Sequence, residues 1–320
     1  MLHATRPEDK IYGMYGCAKR LGMDWPTPDY TKSVAQIYTE ATVTCFRYDK
    51  DIKVVIMAIG PAVGELGLPS WVPELSGPIN ASDISKPPRV TPEFQKDKQC
   101  SGASRCEWKF IPDGRHLKVK GRRFDYVAVV GEAWRGVFPT TTPQPDHIEF
   151  QNLESLMRCI VSWFGITLQR NMIRGNSTNL EDELVATSDL ADLLAKASLD
   201  SVNRVAEDIS LLIDCLRGIN GYQPTSRKGL ETIVRVYPSI ALLAWKLVFR
   251  TANKLCMGTS NYNAKAGDLL VVFHGLGLPC LIRPCAGGFN FIGSAFVPEV
   301  MNGEFWGGGS KNDDEWFTLI

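Results

Sequence analysis

The hydrophobic period changes twice along this chain, and that change limits the folds open to it. Between residues 105 and 131 apolar residues recur at every second position, and the phrase "PDG" interrupts the run in "CEWKFIPDGRHLKVKGRRFDYVAVVGEA". Gly114 is free to take the positive φ that a tight hairpin requires. Leu117, Val119 and Gly121 fall on one side and Lys118, Lys120 and Arg122 on the other, which predicts a half-exposed antiparallel pair with a basic outward face. Such alternation belongs to any solvated sheet face, so the lysines and arginine are read as solvated rather than as a phosphate-binding stripe. From 150 to 250 the repeat lengthens to three and four residues in "NLESLMRCIVSWFGITLQR", "LEDELVATSDLADLLAKA", "SVNRVAEDISLLIDCLRGI" and "KGLETIVRVYPSIALLAWKLVFRT", the mark of a helical layer. Past Thr251 the short period returns in "KLCMGT", "DLLVVFHG", "PCLIRP" and "FNFIGSAFV".

Two or three strands in either β segment would leave unpaired edges, whereas five or more together bury one face. The pattern therefore predicts an α+β fold: a helical layer packed beside an antiparallel β-sheet or small β-barrel formed by the central hairpin and the C-terminal strands. The corresponding organisation is a helical segment over 1–75, an exposed linker loop over 76–104 centred on "KPPRVTP", and an α+β domain over 105–320. Within that domain the hairpin spans 105–131, a helical insertion 150–250 and a C-terminal β meander 254–320.

In the first segment "IYGMYGCAKRLG" reads as one short helix. "TKSVAQIYTEATVTCF" reads as an amphipathic helix capped by Thr31 or Ser33, with Val34, Ile37, Tyr38, Ala41 and Cys45 on one face. "DIKVVIMAIG" is too short to separate helix from buried strand by pattern and leans to helix. The most apolar long window, Val236 to Phe249, holds Pro238 and Lys246 and is shorter than the roughly 20 residues of a membrane span, so it reads as a buried helix.

Lys plus Arg and Asp plus Glu balance at 35 each, and no run of five or six like charges occurs. Neither nucleic acid nor an anionic membrane is expected as a partner. The opening "MLHATRPEDK" lacks the apolar core of a secretory signal, which predicts a cytoplasmic protein. Nine cysteines, an odd number, then read as reduced thiols.

Candidate chemistry is sparse. Asp268 in "AGDLL" precedes a β run, where a carboxylate caps turn amides; a catalytic role would need a partner acid, base or metal. His274 and Cys280 form a possible base and thiol nucleophile, although a buried Cys is by default a small hydrophobe. Of the pairs Cys100 with Cys106 and Cys280 with Cys285, only the second has zinc-knuckle spacing. Glu181, Asp182 and Glu183 suit the first turn of a helix better than catalysis. Trp71 lies between two prolines in "LPSWVPEL", on a stiff extended backbone that docks the following loop or, alternatively, grips a partner peptide. In "RPEDKIYG", Pro7 with Glu8 and Asp9 marks a helix start, and Lys10 and Tyr12 serve packing or an ion pair. No phosphate-binding glycine loop is present, and "HGLGLP" and "FWGGGS" are loops. No catalytic, cofactor-binding or metal-binding set emerges from these residues.

Taken in order, "ATRPEDKIYGMYGCA", "PDYTKSVAQIYTEAT", "LPSWVPEL" and "HLKVKGRRFDYVAVVG" resemble phrases of the fungal heterokaryon-incompatibility family, the proteins that carry a HET domain. "KAGDLLVVFHGLGLPCLIRP" with "FNFIGSAFVPEVMNGEFW" and "EWFTLI" resembles the family's C-terminal finish: a Gly-Asp turn, a Pro-x-x-x-Arg strand, and an apolar strand running into Met-x-Gly-Glu. The positions that match the family's motifs are Asp9, Lys10, Tyr12, Trp71, Asp268, Pro279, Arg283, Met301, Gly303 and Glu304. The resemblance covers the region downstream of the HET domain; the domain's own Leu-Ser-Tyr-x-Trp-Gly and Asp-x-x-Cys-Ile-Asn-Gln phrases have no counterpart here. It implies fungal non-self recognition and regulated cell death, with a protein partner or a HET domain in cis or trans. The expectation is a non-catalytic regulatory region. Its alternative is an enzyme, either NAD-consuming, since HET domains look distantly similar to TIR domains, or a Cys-dependent hydrolase. Because a mid-protein phrase stands close to Met1, the chain is further expected to be a fragment, with an uncovered apolar patch near Ile11, Tyr12, Met14 and Tyr15.

Overall fold

The computed structural model describes residues 6–58, 66–74, 99–111, 114–134, 150–175, 180–198, 207–208, 210–213, 245–308 and 313–320. Eight strands form one sheet: β1 (Trp108–Phe110), β2 (Leu117–Val130), β3 (Lys246–Thr251), β4 (Met257–Asn261), β5 (Leu269–Phe273), β6 (Cys280–Cys285), β7 (Gly288–Phe296) and β8 (Glu315–Leu319). Going round, β2 pairs with β3, then β4, β7, β6 and β5 follow, and β5 pairs back to β2, so six strands close a circuit. The expected union of hairpin and C-terminal strands is present: Trp108 faces Val119 within the hairpin, and Gly121 faces Phe273 across to β5. β1 and β8 flank the first half of β2, and β8 also meets β7 through one parallel pair, Phe289 with Leu319.

β2 serves four neighbours because it is long and irregular. Register shifts between Arg123 and Asp125 and between Val127 and Val129 bend it, as bulges do. Alternate side chains meet in one cluster from five of the strands: Val127, Leu247, Phe249, Leu270, Leu281, Ile292 and Ala295. The opposite positions feed two outer cores. One receives α1 (Asp9–Tyr12), α2 (Tyr15–Arg20) and α3 (Val34–Asp49), whose Ile11, Ile37, Tyr38 and Phe46 pack with Val119, Phe273, Phe291 and Phe317. The other receives α4 (Phe150–Ile173) and α5 (Leu180–Ser198), which lay Trp163, Ile160, Leu190 and Leu194 against Val248, Met257 and Phe296. Trp163 Nε1 donates to the Glu132 carbonyl at 2.8 Å, and Gly131 leaves room for its ring, since a Cβ there would lie 2.4 Å from Cδ1.

Ser33 caps α3, and Gln36 completes the reciprocal capping box. "DIKVVIMAIG" holds a short 3₁₀ helix, Lys53–Met57. Several expectations need correction. "IYGMYGCAKRLG" makes two helices rather than one, broken at Gly13 and Met14. The window Val236–Phe249 is not a helix at its end, because Lys246 onward pairs with β2 and β4, and tertiary pairing overrides the helical repeat; 236–244 lie outside the described residues. Of the 76–104 loop only 99–104 are described, and Cys100 and Ser101 there are buried rather than exposed. Helical residues 207–208 and 210–213 place Leu212 and Ile213 in the core, while 214–244 lie outside the described residues. The predicted apolar patch is also absent as drawn: Ile11 and Tyr12 are buried, and only Met14 is widely exposed.

Candidate functional site

Two polar constellations sit on this framework, and the sequence motifs lead to both. In the first, the Gly-Asp turn and the Pro-x-x-x-Arg strand come together. Leu269 on β5 faces Ile282 on β6, so Asp268 and Arg283 face each other one step further along. Arg283 Nε donates to Asp268 Oδ1 at 2.7 Å and a terminal nitrogen donates to Oδ2 at 3.0 Å, a bidentate pair. The same carboxylate accepts from the Lys265 amide (2.8 Å), and Arg283 also donates to the Asn263 carbonyl (2.8 Å). Asp268 is only 1 % exposed and its oxygens are used in holding the turn. Pro279 immediately precedes β6, and its carbonyl accepts from the Ala295 amide.

The second constellation lies at the end of β5. His274, 7 % exposed, follows Phe273, and Lys120 and Arg122 reach it from β2. Glu107 precedes β1, and Asp314 precedes β8. Arg122 Nε donates to Asp314 Oδ1 at 2.6 Å, and a second nitrogen donates to the Trp306 carbonyl at 3.2 Å. Lys120 pairs with Glu107 at 3.0 Å. His274 Nε2 stands 3.2 Å from Asp314 Oδ2 but out of line for a hydrogen bond, and Nδ1 stands 3.8 Å from Glu107. The Trp306 ring lies edge-on to His274 at 4.7 Å, and the Arg122 guanidinium sits 4.3 Å from the same ring. Burial pushes the His274 pKa below its ordinary 6.5; Lys120 and Arg122 add to that, while Asp314 and Glu107 oppose it. For Asp314 burial works upward, but the hydrogen bond from Arg122 and the neighbouring positive charges hold it below the usual carboxylate range.

The motif residues Gly303 and Glu304 build this corner without entering it. Glu304 starts α6 (Glu304–Gly308), and its carboxylate accepts from the Asn302 amide and side chain, both at 2.9 Å. Gly303 has φ +85°, and a Cβ there would lie 3.2 Å from the Gln99 carbonyl, so this turn favours glycine. Together they set Trp306 over Arg122 and His274. Arg122 thus corrects the expected outward basic face: α6 and the start of β8 cover it. The remaining basic residues are largely engaged, Arg123 by Glu315 and Lys109 over the Trp316 ring. Period-2 reading missed this cluster because Asp314 and Trp306 lie nearly two hundred residues along the chain from Arg122.

Trp71 is fully buried; its Nε1 donates to the Arg115 carbonyl at 3.0 Å and its ring meets Phe46 and Phe110, docking the loop on the hairpin. Next to it Ser70 bonds the Ile320 carbonyl and accepts from the Phe291 amide, beside a hollow of about 230 Å³ reached by Arg115, His116 and Asn290. Tyr12 donates to the Asp29 carbonyl (2.7 Å), Asp9 accepts from Tyr30 (2.8 Å), and Lys10 lies half-buried in the same turn. These residues knit the N-terminal helices and stand apart from the His274 cluster.

The drawn pairing of His274 with Cys280 is not seen. Cys280 is buried in the apolar core with its thiol directed to the Leu278 carbonyl, and burial raises its pKa far above the ordinary value. Burial likewise raises Cys45 and Cys256 to about 11 and Cys106 and Cys159 to about 12, the reverse of what a thiolate nucleophile needs. All eight described cysteines are free thiols, and no group of three or more His, Cys, Asp or Glu suited to a metal occurs among the described residues. Among them, too, no helix is long and apolar enough to cross a membrane.

The C-terminal strands of the circuit are where the comparison of sequences finds a match. Residues 233–319 match the Het-6 beta-barrel domain. The Het-6 barrel match takes in β3 to β8 and the adjoining turns, and so includes Asp268, His274, Arg283 and Asp314; it agrees with the resemblance to the region downstream of a HET domain. It associates this part of the chain with heterokaryon incompatibility. No curated protein and no solved structure matches the chain.

Proposed function

We propose that this chain is a non-catalytic regulatory region of a heterokaryon-incompatibility protein, working in the cytoplasm through protein contacts in fungal non-self recognition and the cell death it triggers. The observation that carries this reading is the use made of the chemistry-bearing residues. Asp268 is spent on Arg283 and a turn amide, Cys280 is a core thiol, and His274 is wedged between charged neighbours inside a strand corner. A turnover site needs such groups converging on open space. The organisation that accompanies this reading takes 1–75 as the segment downstream of a HET domain, 76–104 as a connection and 105–320 as the α+β body. A protein partner, or a HET domain in cis or trans, is the ligand; nucleic acid is not.

The test is an incubation of the purified chain with NAD and, separately, with simple aryl esters. Neither substrate should be consumed above the buffer rate. Turnover that disappears in Cys280→Ala, His274→Ala or Asp268→Ala would transfer the assignment to an NAD-consuming enzyme or a Cys-dependent hydrolase.

A further inference from the structure

Away from His274, the outer side of β1, β2 and β8 forms an open face. Alternation puts Lys109, Lys118, Lys120, Arg122, Trp316 and Thr318 there, with Glu107 just before β1 and Asp314 just before β8, while Leu117, Val119, Phe317 and Leu319 point into the outer core. Register sets Lys109 directly across from Lys118, and Lys118 across from Thr318; in the next row Lys120 lies across from Trp316. Lys120 pairs with Glu107 at 3.0 Å and Arg122 with Asp314 at 2.6 Å. Four cations therefore meet two carboxylates, and the surplus is Lys109 and Lys118. Lys118 has no hydrogen-bond or ion-pair partner among the described residues, and the Lys109 ammonium lies 4.8 Å from the centre of the Trp316 ring rather than against an acid.

Like charges placed directly across a strand pair weaken it, and no acid among the described residues offsets Lys109 and Lys118. Beside them Trp316 keeps 40 % of its surface exposed, a stiff aromatic plane of the kind that anchors partners. We propose that this face docks an acidic, extended segment of a protein partner, with carboxylates on Lys109 and Lys118 and an apolar side chain on Trp316. The dimensions suit such a segment: β1 to β8 is two strand spacings, about 10 Å, which about three extended residues cross. Glu107 and Asp314 stand in the adjoining rows, where they repel a continuous phosphate backbone or an anionic membrane; a peptide can place its carboxylates singly and avoid them. The inference rests on the reading that the chain works through protein contacts, and it gives the partner a chemistry.

The probe is an acetylated Glu-Ser-Glu-Ser-Leu-Ser peptide, whose extended form sets two carboxylates and the leucine on one side; its control carries Gln in place of both Glu. Titrated into the isotope-labelled full chain and followed by NMR, the acidic peptide should shift the Trp316 indole N–H and the amides of Lys109 and Lys118, and bind more weakly as salt rises. The Gln control should leave those signals in place. Lys118→Glu should weaken binding about tenfold, and Lys196→Glu on α5 should not change it. Lys118→Thr removes the like-charge pair, so it should weaken binding while raising the urea midpoint, an opposition that a purely structural lysine does not produce. No shift of the indole at millimolar peptide, equal binding by Lys118→Glu, or tighter binding of oligothymidylate or phosphatidylserine vesicles than of the peptide overturns the proposal. Turnover of NAD or an ester would refute the non-catalytic reading without moving these signals, so the two failures are distinguishable.

Discussion

At Asp268 a carboxylate with almost no solvent is held by a guanidinium that keeps 28 % of its side chain exposed. The two ends of the pair are therefore unequal. Removing the arginine strands a buried charge, while removing the aspartate frees a group that already reaches water. Arg283→Met should lower unfolding stability by about 3 kcal/mol in urea titrations, and Arg283→Lys by less, since an ammonium replaces the charge without the fork. A loss below about 1 kcal/mol for the methionine variant would show that the turn amide of Lys265 alone satisfies the carboxylate. Both residues were visible in the sequence as motif positions, but their meeting was not. It depends on the β5–β6 register, which places positions 268 and 283 opposite each other, and the intervening "HGLGLP" carries no turn signal strong enough to fix that register. Arg122 shows the complementary limit: alternation predicted an outward side chain correctly oriented away from Leu117, but not the α6 corner that covers it.

Among the described glycines, Gly293 on β7 is the one whose Cβ would come nearest another atom. Gly293 has φ +150°, and a Cβ there would sit 2.0 Å from Asn261 Nδ2, which itself donates to the Ile292 carbonyl at 2.8 Å. It lies by the register shift between Leu281 and Ile282, where β6 and β7 change step. Gly293→Ala should destabilise the protein by about 2 kcal/mol or more, from backbone strain and the displaced Asn261 together. Thermal unfolding followed by circular dichroism measures this, and a melting temperature unchanged within a degree would mean the strand shifts freely. Elements with a long clean period were legible beforehand: α4 and α5 fall where the three-and-four repeat places them, and Ser33 caps α3. β3 was not legible, because Leu247, Val248 and Phe249 end an apolar window whose pattern suits either state, and only pairing with β2 and β4 decides.

For the whole molecule the buried titratable groups set a stability window. His274 has a folded pKa below 6.5, so its contribution is complete above 6.5 and is lost as the pH falls towards its folded value. Asp125, where burial is outweighed by bonds from the amides of Lys254, Tyr126 and Asn253, and Asp314 both lie below the usual range; their contribution is present above about 4 and disappears as the pH falls through their folded values. The buried thiols act at the other end. Raised from 9.0 to about 11 or 12, they favour the fold fully below 9.0 and withdraw that support as the pH climbs. The urea midpoint should therefore be highest near neutrality, falling on the acid side below pH 6.5 and again below about pH 4, and on the alkaline side above pH 9.0. A midpoint that rises from pH 7.5 to 5.5 would contradict the sign for His274. The strand circuit has a kinetic counterpart. Gly121 must find Phe273 about 150 residues later, and Leu117 must find Leu319 later still, so the loop-closing entropy falls due before most of the sheet is rewarded. On a ribosome the first half of β2 emerges long before any of its β5 or β8 partners exists, and must wait with Val119 and Leu117 unpaired on that side.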